Sequence, residues 1–234
     1  MEWWKRWWAK DQKLLPDTPY WQAYEDSFKE QPQRNTPIRE LRFVVLDTET
    51  TGLDVQKDNI LSIGAVAVRD QKIWINDRFE AFLPQIPTQQ TKGLEAVPVH
   101  GILGKHANQK QTTTEILIDF LAYLGGSIFV AQHAAFDYGI LQSAYQHHLQ
   151  GYLLNKSLDT AHLAHRLDDP SRSSYLNSTK AKQYGLDQLC KRYNIPIEGR
   201  HTASGDALLT AILLVKLLSR LEDRGITHWG QLSR

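Results

Sequence analysis

The stretch Leu41-Arg42-Phe43-Val44-Val45-Leu46-Asp47-Thr48-Glu49 constrains the fold more than any other part of the chain. An apolar run, broken only by Arg42, leads straight into two carboxylates one residue apart. A short run of this kind reads as a buried central strand. Side chains alternate between faces along a strand, so Asp47 and Glu49 share one face. Two carboxylates held side by side repel. The repulsion is relieved by protonating one of them or by binding a divalent cation. Hard oxygen ligands at a strand end suit Mg²⁺ or Mn²⁺. Thr50-Thr51-Gly52 then bends the chain, a geometry that can turn backbone N–H groups toward a phosphate or a sugar. Taken alone the pair is weak evidence, because many surface strands end in Asp-x-Glu.

The pattern downstream predicts an α/β domain. Asn59 to Val68 alternates and reads as a second strand. Gln71 to Leu83 reads as a third, after a short turn at Arg69-Asp70. A mostly irregular stretch is expected from Pro84 to about Gln111. Thr112 or Thr113 then caps a helix that gathers Ile116, Leu117, Phe120, Leu121 and Leu124 on one face. Ser127 to Ala131 is a fourth strand and Ala135 to Leu149 a helix. Ser157 to Leu167 begins a further strand-like or helical piece, and Asp168 to Lys182 a polar loop. Helices are expected over 186–194 and 204–222. Three strands, then a helix, a strand and more helices imply a mixed sheet rather than a regular parallel alternation.

Residues 1–37 read as an N-terminal extension, 38–225 as the main domain and 226–234 as a tail. Five of the seven tryptophans lie in the first forty residues: Trp3, Trp4, Trp7, Trp8 and Trp21. A helix would put Trp3, Trp4, Trp7 and Trp8 on one side. That stripe packs on the domain, docks a protein partner or a second copy, or lies at a membrane interface. Residues 1–40 carry seven basic and seven acidic side chains, which disfavours an anionic membrane. The 27 Lys and Arg nearly balance the 26 Asp and Glu, so bulk charge does not announce a nucleic-acid binder, although a local basic groove would suffice. No apolar run is long enough to span a bilayer, and no secretory signal is evident. Cys190 is the lone cysteine, so no internal disulfide forms, and its helical apolar setting reads as a buried thiol. A cytoplasmic setting is the expectation.

Two further acidic positions follow apolar elements. Gln132-His133-Ala134-Ala135-Phe136-Asp137 comes after the fourth strand, and His201-Thr202-Ala203-Ser204-Gly205-Asp206 enters a strongly apolar helix. Singly, Asp137 and Asp206 are ordinary first-turn acids and His201 an ordinary loop histidine. Taken in order, the carboxylate pair, the third Asp and the His-x4-Asp resemble the proofreading-type 3′→5′ exonucleases, the DnaQ-like DEDD group in its histidine-containing subclass. The resemblance spans about residues 41–222. It includes Phe43 to Leu53, Phe136-Asp137, and His201 with Asp206-Ala207. Val99 to Ile102, Ser157 to Thr160 and Leu186 to Cys190 also look like family positions. Where the family often has His-Asn before the second-motif Asp, this chain has Gln132-His133.

The resemblance implies a ribonuclease-H-like fold with a mixed five-stranded sheet flanked by helices. It implies that Asp47, Glu49, Asp137 and Asp206 hold two Mg²⁺ or Mn²⁺ ions and that His201 is the general base. Thr50, Leu53, His100 and Phe136 would line the pocket for the terminal nucleotide. The implied reaction releases nucleoside 5′-monophosphates from 3′ ends, most readily of single-stranded DNA. RNA trimming on the same site, or a silent nucleic-acid-binding module, are the alternatives.

Overall fold

The structure, a computed structural model, describes residues 15–84, 111–169 and 181–233. Trp3, Trp4, Trp7, Trp8 and His100 lie outside the described residues, as do most of the irregular stretch after Pro84 and most of the polar loop after Asp168.

Three strands open the domain: β1 (Phe43–Thr50), β2 (Ile60–Arg69) and β3 (Lys72–Phe82). β1 pairs antiparallel with β2, and β2 with β3. The hairpin between β2 and β3 turns on Asp70 and Gln71, both left-handed at φ 48° and 55°. That pair is one residue later than the sequence suggests. A two-residue turn with two positive φ values matches the twist of the strands it joins. β4 (Ile128–Ala131) and β5 (Ser157–Asp159) then add in parallel on the far side of β1. The order β3-β2-β1-β4-β5 makes a mixed five-stranded sheet with β1 at its centre, as expected. Val44, Val45 and Leu46 are fully buried. Arg42, the one charge in the apolar run, sits just before β1. There it bonds Asp77, Ser127 and the Tyr123 carbonyl at the rim.

Helices cover both faces. On one lie α1 (Pro19–Asp26), α2 (Thr113–Leu124) and α3 (Ala135–Leu149). They share a core with the even-numbered residues Val44 and Leu46. Thr112 and Glu115 form a reciprocal capping box that starts α2. On the other face lie α4 (Thr160–Asp168), α5 (Leu186–Arg192), α6 (Ala203–Glu222) and the short α7 (Trp229–Leu232). They share a core with the odd-numbered Phe43 and Val45. Leu213, Leu214 and Leu217 of α6 are completely buried there. Each such side chain contributes about 1.5–3 kcal/mol of apolar burial. Cys190 is buried in the same layer. Among the described residues, no helix is long and apolar enough to cross a membrane.

The segments flanking this sandwich are joined to it. Trp21 of α1 is completely buried, and its indole N–H donates to the Leu149 carbonyl at 3.1 Å. Gly151 makes room for the ring, since a Cβ there would stand 2.1 Å from Trp21 Cζ2. The Tyr24 hydroxyl donates to Asn155 and accepts from the Leu154 amide. At the other end, the Ile38 amide donates to Thr227, Trp229 to Thr36 and Gly230 to Arg34.

Candidate active site

The site forms where β1 ends between the two helical layers. Asp47 and Glu49 stand on the face that α6 covers, and Asp206 comes from the first turn of α6. Ligand oxygens of these three residues lie within 4.8 Å of one another. A glycine makes this approach possible. Gly64 pairs with Asp47 across β1 and β2, and a Cβ on it would stand 2.2 Å from the Ser204 amide nitrogen. The N-terminus of α6 therefore rests directly on β2 backbone. Ser204 also donates to Glu80 of β3 at 2.6 Å, and Glu80 is the next residue in the same cross-strand row.

Asp137 arrives from the opposite layer, in the first turn of α3, and is buried. One of its oxygens accepts two hydrogen bonds from Thr48, from the amide at 2.9 Å and the hydroxyl at 2.8 Å. Thr48 faces away from Asp47 and Glu49, as its place between them in the strand requires. Burial drives the Asp137 carboxyl up to about 7, against the lowering effect of the Thr48 bonds, and the nearby Asp159 charge adds to the rise. Asp47 is pushed well above the usual carboxylate range. Burial is the main cause, followed by the charges of Asp137, Asp206 and Glu49, while Arg200 acts the other way. Asp47 thus stands within reach of the charges of three other acids from three elements.

The turn carrying Asp137 is braced from outside. His133 is exposed and left-handed at φ 58°, and its amide donates to Asp159 at 3.1 Å. The same Asp159 oxygen caps α4 through the Ala161 amide at 2.8 Å. The Gln132 amide group donates to the Tyr184 carbonyl at 2.6 Å and accepts from Thr160 at 2.5 Å. Gln132-His133 therefore acts as a strut between β4, α4 and the Ala181–Tyr184 turn. His133 occupies a conformation that Asn also tolerates well.

His201 lies on the exposed loop entering α6, left-handed at φ 63°. It stands outside the three converging carboxylates, as Asp137 does. Its loop is closed by Thr202, whose hydroxyl donates to the Gly199 carbonyl at 2.9 Å and accepts from the Gly205 amide at 3.1 Å. Arg200 has no part in the sequence reading, yet its guanidinium donates to both Asp206 and Asp187. The remaining Asp206 oxygen, Oδ1, is buried without a hydrogen-bond partner. Arg200 is adjacent to a recognisable motif residue, but no spacing rule points to it.

The loop 51–59 borders the site. Asp58 organises it, accepting from the Thr51 hydroxyl at 2.7 Å and the Asp54 amide at 2.8 Å. Thr50 donates to the Gly52 carbonyl at 2.7 Å. Leu53 is 86% exposed, so it is no core residue. Phe136 is half-buried against the α1–α3 core.

A family model described as Exonuclease (RNase_T) matches residues 44–214. The "DNA polymerase III PolC-type" protein of Oceanobacillus iheyensis is 33% identical over 192 residues, 82% of this chain and 12% of the relative. Its Bacillus subtilis counterpart is 31% identical over 198 residues, 84% of this chain and 13% of that protein. The chain thus spans about an eighth of the length of these curated relatives. Among solved structures, the zinc-bound E. coli ExoI–ssDNA complex superposes with a TM-score of 0.60 at 15% identity, over 79% of this chain and 42% of that one. S. pombe Pop2p, in its Mg²⁺- and Mn²⁺-bound form, gives a TM-score of 0.55 at 16% identity, over 87% and 90%. At these identities the two structures speak for the fold.

Proposed function

We propose, from the premise that this chain belongs to the Exonuclease (RNase_T) family, that it is a metal-dependent 3′→5′ exonuclease acting on single-stranded DNA ends. The observation that carries the reading is the convergence of Asp47, Glu49 and Asp206, the last of which also keeps one buried oxygen without a hydrogen-bond partner. A buried acceptor without a partner is costly, and three hard anionic donors are what a divalent cation requires. The residues therefore fit Mg²⁺ or Mn²⁺. Asp47, Glu49, Asp137 and Asp206 would hold two such ions. Bound there, the ions would lower the pKa of a coordinated water and stabilise the leaving 3′-oxygen.

The remaining chemistry belongs to the chain. His201 accepts the proton of the attacking water, since its imidazole nitrogen can take up a proton and its loop is fixed by Thr202. The exposed Leu53 lies against the terminal base, with Phe136 beside it and Thr50 gripping the nucleotide. Such apolar stacking tolerates any base. Names among the relatives and solved structures support DNA as substrate: "DNA polymerase III PolC-type", and an ExoI complex with single-stranded DNA.

The test is hydrolysis of a 5′-labelled oligodeoxynucleotide with Mg²⁺ or Mn²⁺. A ladder shortening from the 3′ end, with release of 5′-mononucleotides and full inhibition by EDTA, is expected. Cleavage that survives EDTA, or none with either ion, overturns the reading. Faster turnover of the matched RNA reassigns the substrate.

A further inference from the structure

The reaction proposed above does not use Arg200, although its guanidinium bonds a member of the acidic cluster. Its guanidinium reaches two acids on two helices. The Nε–H donates to Asp187 Oδ1 in the first turn of α5 at 2.6 Å, and Nη1 donates to Asp206 Oδ2 in the first turn of α6. Asp187 is about half exposed, whereas the Asp206 side chain is 8% exposed. The fork therefore runs from the surface into the acidic cluster.

The consequence for Asp206 is geometric. With Oδ2 held, rotation of the carboxylate is arrested. Oδ1 is left buried and without a hydrogen-bond partner, in the residue whose ligand oxygen converges with those of Asp47 and Glu49. The backbone around Arg200 is equally constrained. Gly199 is left-handed at φ 71°, and a Cβ on Gly205 would stand 1.8 Å from the Gly199 carbonyl oxygen. The loop 199–205 is thus pressed on the first turn of α6, and the Arg200 side chain continues that contact across to α5.

We infer that Arg200 is a positioning residue for the metal site: anchored on Asp187, it fixes the Asp206 carboxylate so that one oxygen is presented to a divalent cation. The inference rests on the metal-dependent reading. A guanidinium so close to a cation site has an obvious rival role, as a competitor that the metal must displace. The two roles predict opposite signs. A competitor's removal tightens metal binding, whereas a positioning group's removal weakens it. The span itself favours positioning, because a competitor has no need of a second anchor on another helix. Only the planar fork of arginine bonds two carboxylates in this way, so lysine is a poor replacement.

The test is Mn²⁺ binding by calorimetry and by the electron paramagnetic resonance signal of the bound ion. The wild-type chain is compared with Arg200→Met, Arg200→Lys and Asp187→Ala. Arg200→Met and Arg200→Lys are expected to weaken Mn²⁺ binding by about ten-fold or more, the usual effect of removing an outer-shell partner of a metal ligand. Asp187→Ala should weaken it several-fold while leaving the Arg200 charge in place. Melting temperatures in EDTA show that the variants remain folded. Unchanged or tighter binding by Arg200→Met overturns the inference. So does wild-type affinity in Asp187→Ala, which remains decisive should the Arg200 variants not fold. Absence of Mn²⁺ binding by the wild-type chain overturns the metal-dependent reading itself, a result distinct from equal binding by wild type and variants.

Discussion

Thr48 holds Asp137 by two hydrogen bonds to a single oxygen, the amide at 2.9 Å and the hydroxyl at 2.8 Å. The residue between two acids of β1 thereby sets a third acid that comes from the opposite helical layer. Replacing it with valine keeps the shape and the backbone N–H but deletes the hydroxyl. Thr48→Val is expected to lower the turnover of single-stranded DNA by about 10–100-fold, as for other groups that orient metal ligands. Its cost in stability should be only about 1 kcal/mol. Parallel measurement of turnover and denaturant midpoint checks this, and unchanged turnover contradicts it.

His201 is the group assigned to proton transfer. His201→Ala should reduce turnover by roughly 10²–10⁴-fold, the range for loss of a general base. Mn²⁺ affinity should hardly change. A variant that keeps wild-type turnover would reject the role.

Gly64 permits the contact between β2 and α6. A methyl group there meets the Ser204 amide at 2.2 Å and the Ala203 carbonyl carbon at 2.3 Å, both backbone atoms. Backbone cannot rotate aside as a side chain can, so α6 must lift. Gly64→Ala is expected to cost about 1–3 kcal/mol, as overpacking usually does. Nuclease activity should fall further than stability, because Asp206 moves away from Asp47. Wild-type activity in this variant would contradict the geometry.

Asp137 makes the metal-depleted protein pH-sensitive. Its folded value of about 7 lies above that of an unfolded aspartate. Between the two, the native state keeps a proton that the unfolded chain has released. This contribution to stability is fully present below the unfolded value, near 4, and is lost as pH rises to about 7. Asp47 is shifted in the same direction. Melting temperature in EDTA should therefore decline from pH 5 to pH 7 relative to the same protein with excess Mn²⁺. Parallel profiles with and without the ion would contradict this.

Trp21 ties the N-terminal segment to the sheet's outer layer. Trp21→Ala is expected to destabilise the protein by about 3–5 kcal/mol, the range for deleting a large buried aromatic. Trp21→Phe should cost less, losing chiefly the bond to the Leu149 carbonyl. Urea denaturation of both variants measures the difference. A Trp21→Ala midpoint equal to wild type would contradict it.

What could be read in advance follows from range. The central position of β1 was legible because apolar side chains with no polar alternation must be covered on both faces. The shared face of Asp47 and Glu49 follows from the period of a strand. Helix α2 announced its own start, since Thr112 and Glu115 are near neighbours that cap each other. The supports of the site act over longer separations. Thr48 and Asp137 are 89 residues apart, and His133 and Asp159 are 26 apart. Neither pairing leaves a local pattern. Gly64 looks like a weak point in a strand, and only the approach of α6 gives it a reason. Trp21 sits among other tryptophans in a segment of unusual composition, and its burial depends on a gap left by Gly151, far along the chain.

The acids reach the site from both sides of the sheet, Asp137 by α3 and Asp206 by α6. No single layer of the protein owns the site. A substitution deep in either core shifts one half of the acidic cluster against the other. On the proposed function, hydrolysis gauges how the two layers are seated on the sheet. It should fade under mild denaturant before the secondary structure does.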